Sequence, residues 1–469
     1  MVHVNSPNSD LLAPGHSPLA LESSTLPDSL STQAESLVAP SQSGERPHKY
    51  TLCFTQRCNL ACPYCYIHKT GAVMSQETAH KVVDFIFRHS RRAAGLEIGF
   101  FGGEPLLEFG TLQSITRLIQ DHPAYDPARV RLSLTTNGTI FSDAIIQFLL
   151  EHDIKFCISC DGPPEIQNTF RHTKEGAGSS SLVEGTIRQA ISALPVVLVN
   201  AVFHPRTFRR LPETVDYFAG LGVRHLYLNP DFSARWTQAE VDDLPRIYQE
   251  LTERYIAWYL AGDPHFISLL DSKITALLRG GFDPMERCRM GSGELAFSPD
   301  GGIYPCERLI GDGFDGAHRI GHVETGLDFS RMRCHVSPGT EPLKAEDQDA
   351  AGKDIASLSV ANPECRQCGI RDYCMNWCGC SNTFMTGYYN RTGPFLCASE
   401  RALTASGLHA LKVLGDRMGS VFLHHLLGSP HTNSRLNRDR ADCSGVRPSQ
   451  ATPLPGPFHK ETSPCSERN

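Results

Sequence analysis

The chain has 469 residues, of which 44 are Lys or Arg and 51 are Asp or Glu, so its formal net charge is −7. This length allows two or three domains with a sizeable core, and the mild acidity favours neither a nucleic acid nor a membrane surface as partner. No apolar run reaches about eighteen residues, and no basic segment followed by an apolar run begins the chain. We therefore expect a cytoplasmic protein without a cleaved signal.

The chain contains seventeen cysteines. Thiols in the cytosol are kept reduced, so disulfides are not the expected use of so many. Most of these cysteines fall in short motifs, which favours metal ligation. A secreted protein with a disulfide framework is the alternative, and a chain of this length fits it poorly.

The first predicted unit is a disordered tail over residues 1–48, which is rich in Ser, Pro and small polar residues without periodicity. From residue 49 to 235, short β-rich runs alternate with amphipathic helical stretches such as 75–90 and 142–152. The predicted strands are 49–55, 96–101, 130–136, 154–160, 196–203 and 224–230. Six β-then-α units predict an α/β fold with a parallel sheet, either open or curled into a partial (β/α)6 TIM-like barrel.

The remaining chain has a different character. Residues 236–283 are predicted to be a helical connector. Residues 284–400 are loop-rich and dense in cysteine, which is typical of a small domain organised by metal. We expect a C-terminal helix over 401–428 and a second disordered tail over 429–469.

The stretch CNLACPYCYI directly follows the first predicted strand, and its cysteines Cys58, Cys62 and Cys65 form a C-x-x-x-C-x-x-C loop. Soft thiolates this close together suit zinc or an iron–sulfur cluster. A structural zinc site takes four ligands, and only Cys53 lies nearby. A four-iron cluster held by three thiolates leaves one iron open for other chemistry. A zinc loop with a distant fourth ligand remains the alternative.

Polar motifs end the next three predicted strands, where sites form in parallel α/β folds. FFGGEP (100–105) ends the second strand with two glycines that allow a close approach to the backbone, followed by a carboxylate. TTNG (135–138) ends the third, and SCDGPPEIQNTFR (159–171) supplies Asp161 at the end of the fourth. Each motif alone is an ordinary turn. Their placement together predicts one site.

With the cysteine loop and these strand ends, roughly residues 49–230 resemble the radical S-adenosylmethionine (SAM) enzymes. The resemblance implies that the three cysteines hold a four-iron four-sulfur cluster, whose open iron is chelated by SAM. It also implies cleavage of SAM to methionine and a 5′-deoxyadenosyl radical, which removes hydrogen from a substrate carbon. The implied SAM contacts are Tyr64 and Leu228 at the adenine, Gly102, Gly103 and Glu104 at the amino group, Ser159 at the ribose, Arg171 at the carboxylate, and Asn137 in TTNG.

A second cysteine series resembles the SPASM extension of radical SAM proteins. Cys288 and Cys306 flank Gly301, and CRQCGIRDYCMNWC (365–378) and Cys397 follow. The resemblance implies two auxiliary four-iron clusters, which makes three clusters in all. The outer one would be held by Cys365, Cys368, Cys374 and Cys397, and the inner one by Cys288, Cys306 and Cys378. Zinc ribbons remain the alternative for this series.

The inner set departs from sulfatase-maturing relatives, which carry an extra cysteine just upstream. Residues 280–288 offer none before Cys288. The inner cluster therefore either recruits Cys334 or Cys380 or keeps an open iron, as is associated with thioether-forming relatives. Glu307, where the maturases carry Asp as proton acceptor, is the candidate catalytic residue. A solvated or ion-paired Glu307 is the alternative.

The resemblance implies a radical SAM/SPASM oxidoreductase that modifies a peptide side chain, with a thioether cross-link as the expected product. Formylglycine formation of the anaerobic sulfatase-maturase type and small-molecule dehydrogenation are alternatives within the class. A zinc-organised binding protein is the alternative outside it. The expected partners are a cysteine-containing peptide or protein and an electron donor of flavodoxin or ferredoxin type. Residues 1–48 do not suggest a leader-binding domain, so we also expect a separate leader-binding protein or direct recognition.

Overall fold

The structure is a computed structural model. It describes residues 47–91, 93–283, 287–310, 316–337 and 360–428. The two predicted tails therefore lie outside the described residues, apart from residues 47 and 48.

Six parallel strands form the centre of the sheet, and each pairs with the next one along the chain. They are β1 (His48–Thr55), β2 (Leu96–Gly102), β3 (Val130–Thr136), β4 (Ile154–Ser159), β5 (Val197–Phe203) and β6 (His225–Pro230). The intervening helices are α1 (Gln76–His89), α2 (Phe109–Gln120), α3 (Asp143–Glu151), α4 (Pro164–Phe170), α5 (Ser180–Ala193) and α6 (Leu211–Gly220). The six predicted strands are confirmed to within one residue at each end.

Side chains alternate between the two faces of each strand, and this alternation separates a cavity from a core. Every one of the six strands contributes to one shared cavity, through Thr51, Gly99, Ser133, Ser159, Asn200 and Asn229 in chain order. The neighbouring positions are apolar and buried in the main hydrophobic core, namely Leu52, Ile98, Leu134, Ile158, Val199 and Leu228. Because all six strands border the same cavity, the sheet curls around it. The partial barrel is confirmed.

The cysteine-dense region extends this sheet. Beyond β6, the short strand β7 (Phe266–Ile267) pairs in parallel, and on the other side β8 (Glu294–Phe297) pairs in parallel with β1. Three further strands, β9 (Gly302–Tyr304), β10 (Gly321–His322) and β11 (Gly326–Leu327), follow β8 as an antiparallel meander. Within the described residues, the sheet thus has eleven strands. Strands β8 to β11 are joined to the barrel by the pairing of β8 with β1, a long-range contact that local periodicity did not predict.

Six further α-helices follow β6 in the described part of the chain. They are α7 (Gln238–Leu260), α8 (Ser268–Leu278), α9 (Ser330–Arg333), α10 (Gly379–Thr386), α11 (Pro394–Met418) and α12 (Ser420–Gly428). The helix predicted at 401–428 begins earlier, because Pro394 suits a first helical turn. It breaks at Gly419, whose φ of 53° does not continue a right-handed helix. Among the described residues, no helix is long and apolar enough to cross a membrane.

A buried ion pair fixes part of the cysteine-rich segment to α8 and α11. The Nζ atom of Lys273 lies 2.8 Å from Oε2 of Glu400, and both side chains are almost fully buried. Lys273 also donates to the carbonyl of Tyr373, and the backbone N–H of Met375 donates to Glu400 at 2.8 Å. A buried ion pair is sustained by such additional hydrogen bonds. The pair therefore holds the two residues that flank Cys374 against both helices.

Candidate active site

A cavity of about 590 Å³ opens at the carboxyl ends of the barrel strands. This volume lies within the usual range of small-molecule sites, about 300–1,000 Å³. Loops after β1, β2, β3, β4 and β6 contribute to its wall, and so do residues 307 and 308 from the segment after β9. The cavity is thus shared between the barrel and the sheet extension.

The loop between β1 and α1 places three thiols at the cavity. Cys58, Cys62 and Cys65 all line it, whereas Cys53 does not and is fully buried in a separate small apolar cluster. The Sγ atom of Cys58 accepts a hydrogen bond from the backbone N–H of Leu60 at 3.4 Å. Burial raises the pKa of Cys58, and raises that of Cys62 to about 11. The cavity therefore receives three thiols from this loop.

Two glycines let the cysteine loop lie directly against the end of β2. A Cβ atom on Gly102 would come within 2.2 Å of the carbonyl oxygen of Thr55, and one on Gly103 within 2.1 Å of that of Arg57. The N–H of Gly103 donates to the Thr55 carbonyl at 2.8 Å. The sequence predicted that a ligand approaches these glycines. The structure shows that the backbone of the cysteine loop lies directly against these two glycines.

Replacing Gly103 with Ala is expected to lower the free energy of unfolding by about 1–3 kcal/mol, because the added methyl group must displace the backbone at Arg57. The measurement is anaerobic chemical denaturation of both proteins. Gly110→Ala in α2 is the matched control, since a Cβ there meets no atom within 4 Å. We expect the control to be neutral or stabilising by up to about 1 kcal/mol. Equal stability of the two variants would contradict this account of the β2 end.

The Glu104 carboxylate is enclosed and does not line the cavity. It accepts hydrogen bonds from the N–H of Leu106 at 3.0 Å, the hydroxyl of Thr136 at 2.7 Å and the N–H of Asn137 at 2.6 Å. Burial raises its pKa, and these donors oppose the shift. The side chain thus ties the end of β2 to the end of β3. The expected contact of Glu104 with the SAM amino group stays a prediction.

Asn137 connects the same strand end to the cysteine loop. Its side-chain amide donates to Oδ1 of Asn59 at 2.9 Å and lies 3.8 Å from the Sγ atom of Cys58. The residue lines the cavity, as does Ser159 at the end of β4. Their expected contacts to a cofactor stay predictions.

Leu228 lies next to a cavity-lining position of β6. Its expected packing against an adenine ring stays a prediction; its side chain is buried in the core and is not among the residues that line the cavity. The reason is strand alternation, since the next residue of β6, Asn229, lines the cavity instead. The signal was present in the sequence, because apolar Leu226 and Leu228 alternate with Tyr227 and Asn229.

A buried polar group joins the cysteine loop to the fourth strand end. The hydroxyl of Tyr64 donates to one oxygen of Asp161, and Nε of Arg171 lies 3.0 Å from the other. The guanidinium of Arg171 also lies over the Tyr64 ring, 5.5 Å from its centroid. Burial raises the pKa of Tyr64 well above its usual value. Its hydroxyl therefore stays protonated and serves as the hydrogen-bond donor to Asp161. Asp161 therefore orients two residues that line the cavity.

Glu307 and Arg308 bring the cysteine-dense segment to the cavity wall. Glu307 begins a 3-10 turn directly after Cys306, whose Sγ lies 3.7 Å from the carboxylate. Arg308 lies 3.4 Å from Oδ1 of Asn229 on β6. Sequence reasoning identified Glu307 but missed Arg308 and Asn229, because nothing local indicated that this segment meets β6.

Behind Glu307 lies a group of buried thiols. Burial raises the pKa of Cys288 well above its usual value, and the nearby Glu294, Cys378 and Cys380 add to this effect. Cys306 is also buried, and Cys288 lies close enough to influence its pKa. The three cysteines expected to hold the inner cluster are therefore brought together, and a fourth thiol lies among them.

A second group of thiols forms where residues 365–374 meet the start of α11. Burial raises the pKa of Cys365 to about 11, with Cys397 and Cys368 contributing, and burial also raises that of Cys374, with a smaller contribution from Cys397. Arg401 donates to the Sγ atom of Cys368 at 3.4 Å. The four expected outer ligands are thus neighbours in the fold.

The donor chemistry of all three groups fits iron–sulfur clusters. Within the described ranges, no three His, Cys, Asp or Glu side chains converge tightly enough to bind one metal ion. Cysteine thiolates are the ligands that hold four-iron clusters. Each of the three groups supplies thiols, and those of the first group line the cavity.

Comparison with known proteins identifies the barrel. Residues 52–231 match the Radical SAM superfamily. This part of the chain is a Radical SAM domain. A domain of this family implies SAM and a four-iron four-sulfur cluster as cofactors, and the matched residues contain the Cys58 loop and the carboxyl ends of β1 to β6.

Relatives of this chain include maturation enzymes. It is 23% identical over 347 residues to the serine-type anaerobic sulfatase-maturating enzyme of Klebsiella aerogenes, which covers 71% of this chain and 81% of that one. It is 23% identical over 303 residues to the radical SAM cyclopropyl synthase TigE of Paramaledivibacter caminithermalis, and the matched region covers 58% of this chain and 59% of that one. The solved structure of native anSMEcpe with bound AdoMet and Cp18Cys peptide superposes with a TM-score of 0.63, at 21% identity over 79% of this chain and 99% of that one. This last likeness shows a shared fold.

Proposed function

We propose that this radical SAM enzyme oxidises a side chain of a peptide or protein bound in the barrel cavity. One observation carries the proposal: Glu307 lines the same cavity as Cys58, Cys62 and Cys65, although the chain places them far apart. A carboxylate beside a hydrogen-abstracting centre is an arrangement for removing a proton as well as a hydrogen atom.

The residues of the β1–α1 loop hold the cluster in this proposal, through Cys58, Cys62 and Cys65. Bound SAM, with its cluster, supplies abstraction of a hydrogen atom from an unactivated carbon, and the auxiliary clusters supply electron acceptance. Around SAM, the chain provides ring, hydroxyl, amide and guanidinium groups from Tyr64, Ser159, Asn137 and Arg171. Two observations support these roles: all four residues line the same cavity, and Asp161 holds Arg171 in place by an ion pair. Gly102 and Gly103 shape the cavity edge.

The auxiliary domain is proposed to be a SPASM extension over residues 284–400. Its inner cluster involves Cys288, Cys306 and Cys378, and its outer cluster is held by Cys365, Cys368, Cys374 and Cys397. The clustering of the buried thiols supports both sets. With the barrel cluster, the loaded chain then holds three four-iron clusters. An electron donor of flavodoxin or ferredoxin type is part of the proposal.

Glu307 is the proposed proton acceptor. Joining a sulfur to a carbon removes one hydrogen from each, which is a loss of two protons and two electrons in total. One hydrogen atom leaves by abstraction, so one proton and one electron remain. Glu307 takes the proton at its carboxylate, because it borders both the cavity and the thiol of Cys306.

A thioether cross-link is the proposed product, since Glu307 stands where sulfatase maturases carry Asp and the upstream cysteine of those enzymes is missing. Formylglycine formation is the second candidate, favoured by the similarity to the Klebsiella maturase over 71% of the chain. Both products require the same proton acceptor. They differ in the fate of the substrate sulfur, because a thioether keeps it and formylglycine formation from cysteine releases it.

The test is incubation of anaerobically reconstituted enzyme with SAM, a reductant and synthetic peptides that contain either cysteine or serine. We expect oxidation of the cysteine peptide with its sulfur retained in a new carbon–sulfur bond, as identified by tandem mass spectrometry. Released sulfide with an aldehyde-containing product would establish formylglycine formation instead. SAM cleavage that never alters any peptide, while a small molecule is dehydrogenated, would overturn the proposed substrate class.

A further inference from the structure

The inner thiol group contains one more cysteine than the expected ligand set. The Sγ atoms of Cys378 and Cys380 are 3.7 Å apart. Cys306 and Cys380 lie close enough for each to influence the pKa of the other, and Cys380 also lies close enough to Cys288 to influence its pKa. Cys380 is itself 6% exposed. A buried thiol that contacts one member of a three-thiol set and lies near the other two is in position to complete the set.

The local backbone explains how two cysteines from one turn reach the same group. Cys378 is the capping residue of α10, and Cys380 is the second residue of that helix. Gly379 lies between them, and a Cβ atom there would come within 2.6 Å of the Met290 side chain. The C-G-C turn therefore packs closely against the segment that begins with Cys288. The helix N-terminus also favours a thiolate at these positions.

Two other side chains could compete for the fourth position. Cys334 is exposed in the turn after α9, whereas the other inner thiols are buried or half-buried. Glu294 is closer, with its Oε2 atom 3.2 Å from the Sγ atom of Cys288. Iron–sulfur clusters are held by soft thiolates in preference to carboxylates, so a buried thiol in the group is the better ligand.

We infer that Cys380 is the fourth protein ligand of the inner cluster, together with Cys288, Cys306 and Cys378. This inference rests on the proposed function, which assigns a cluster to that group. The inner cluster is then fully ligated by the chain and leaves no iron for a substrate thiolate. A substrate cysteine that forms a thioether does so without coordination at this cluster, whose task is electron transfer beside Glu307.

The experiment uses full-length protein in which Cys58, Cys62 and Cys65 are replaced by Ala, so that only the auxiliary clusters remain. This background should hold about eight irons per chain. Adding Cys380→Ala should remove at least one iron. It should also make the remaining electron paramagnetic resonance signal respond to added 2-mercaptoethanol, which fills an exposed iron position. Cys334→Ala and Glu294→Gln in the same background should keep the full iron content. Their electron paramagnetic resonance signals should not change when 2-mercaptoethanol is added.

Cys380→Ser is the second variant, used because Ala could disturb the packing of α10. Serine keeps the size and hydrogen bonding of the side chain but is a harder ligand, so we expect an altered signal from an otherwise folded protein. Unchanged iron content and an unchanged signal in both Cys380 variants would overturn the inference. So would loss of iron from the Cys334 or Glu294 variant alone. A background protein that binds no iron would overturn the proposed auxiliary clusters themselves.

Discussion

Replacing Cys58, Cys62 and Cys65 together with Ala is expected to remove about a third of the iron from the reconstituted enzyme, or about four of twelve irons. Formation of 5′-deoxyadenosine should stop completely. The reason is that these three thiols are the ones that the β1–α1 loop brings to the cavity, and no other cysteine on that loop can replace them. Iron and sulfide analysis gives the first result, and chromatography of the SAM reaction gives the second.

Cys53→Ala is the matched control for this variant. Cys53 lies on β1 near the loop, but it is buried in the small apolar cluster and does not line the cavity. We expect the control to keep its iron and its SAM cleavage. A control that loses the cluster would show that Cys53 is a ligand, and stoichiometric zinc with little iron would refute the iron–sulfur assignment of the auxiliary thiols.

Replacing Glu307 with Gln is expected to lower product formation by about 10²–10⁴-fold, the usual cost of losing a general base. SAM cleavage should continue, because no thiol of the β1–α1 loop is changed, so 5′-deoxyadenosine should accumulate without matching product. The ratio of these two products is therefore the decisive measurement. It separates a lost proton acceptor from a general loss of folding or cofactor binding.

Two further variants sharpen this prediction. Glu307→Asp keeps the carboxylate and shortens its reach, so its loss should be smaller than that of Glu307→Gln. Glu253→Gln changes an exposed carboxylate on α7 that does not line the cavity, and its product yield should stay normal. Normal yield and normal coupling in Glu307→Gln would mean that Glu307 is a cavity-wall residue only and that the base lies elsewhere.

The expected closure of the inner cluster bears on the choice between products. A missing upstream cysteine suggested an open iron, and an open iron suggested a route to a thioether. With Cys380 in the group, the missing ligand no longer implies a vacancy for substrate sulfur. The proposed thioether then rests on Glu307, where the resemblance to sulfatase maturases implies Asp, and the fate of sulfur in the peptide product becomes the direct test.

The sequence by itself determined the barrel strands and the chemistry of the first motif. Alternating apolar residues predict strands because the period of a strand is local, so both ends of all six strands are predicted to within one residue. The spacing of Cys58, Cys62 and Cys65 is local as well, and so are the motifs that end β2, β3 and β4. The same local pattern places Leu228 in the core, because the apolar residues Leu226 and Leu228 alternate along β6 with Tyr227 and Asn229.

Only the tertiary structure decided what surrounds these motifs. The pairing of β8 with β1 brings Glu307 and Arg308 to the cavity, and residues 294–327 carry no local mark of that partner. The enclosure of Glu104 by donors from β3 and the approach of Cys380 to Cys306 are also contacts between segments distant in sequence. Periodicity and motif spacing report on neighbours along the chain. Strand partners and the fourth ligand of a cluster depend on which distant surfaces fit together, and that is settled only when the chain packs.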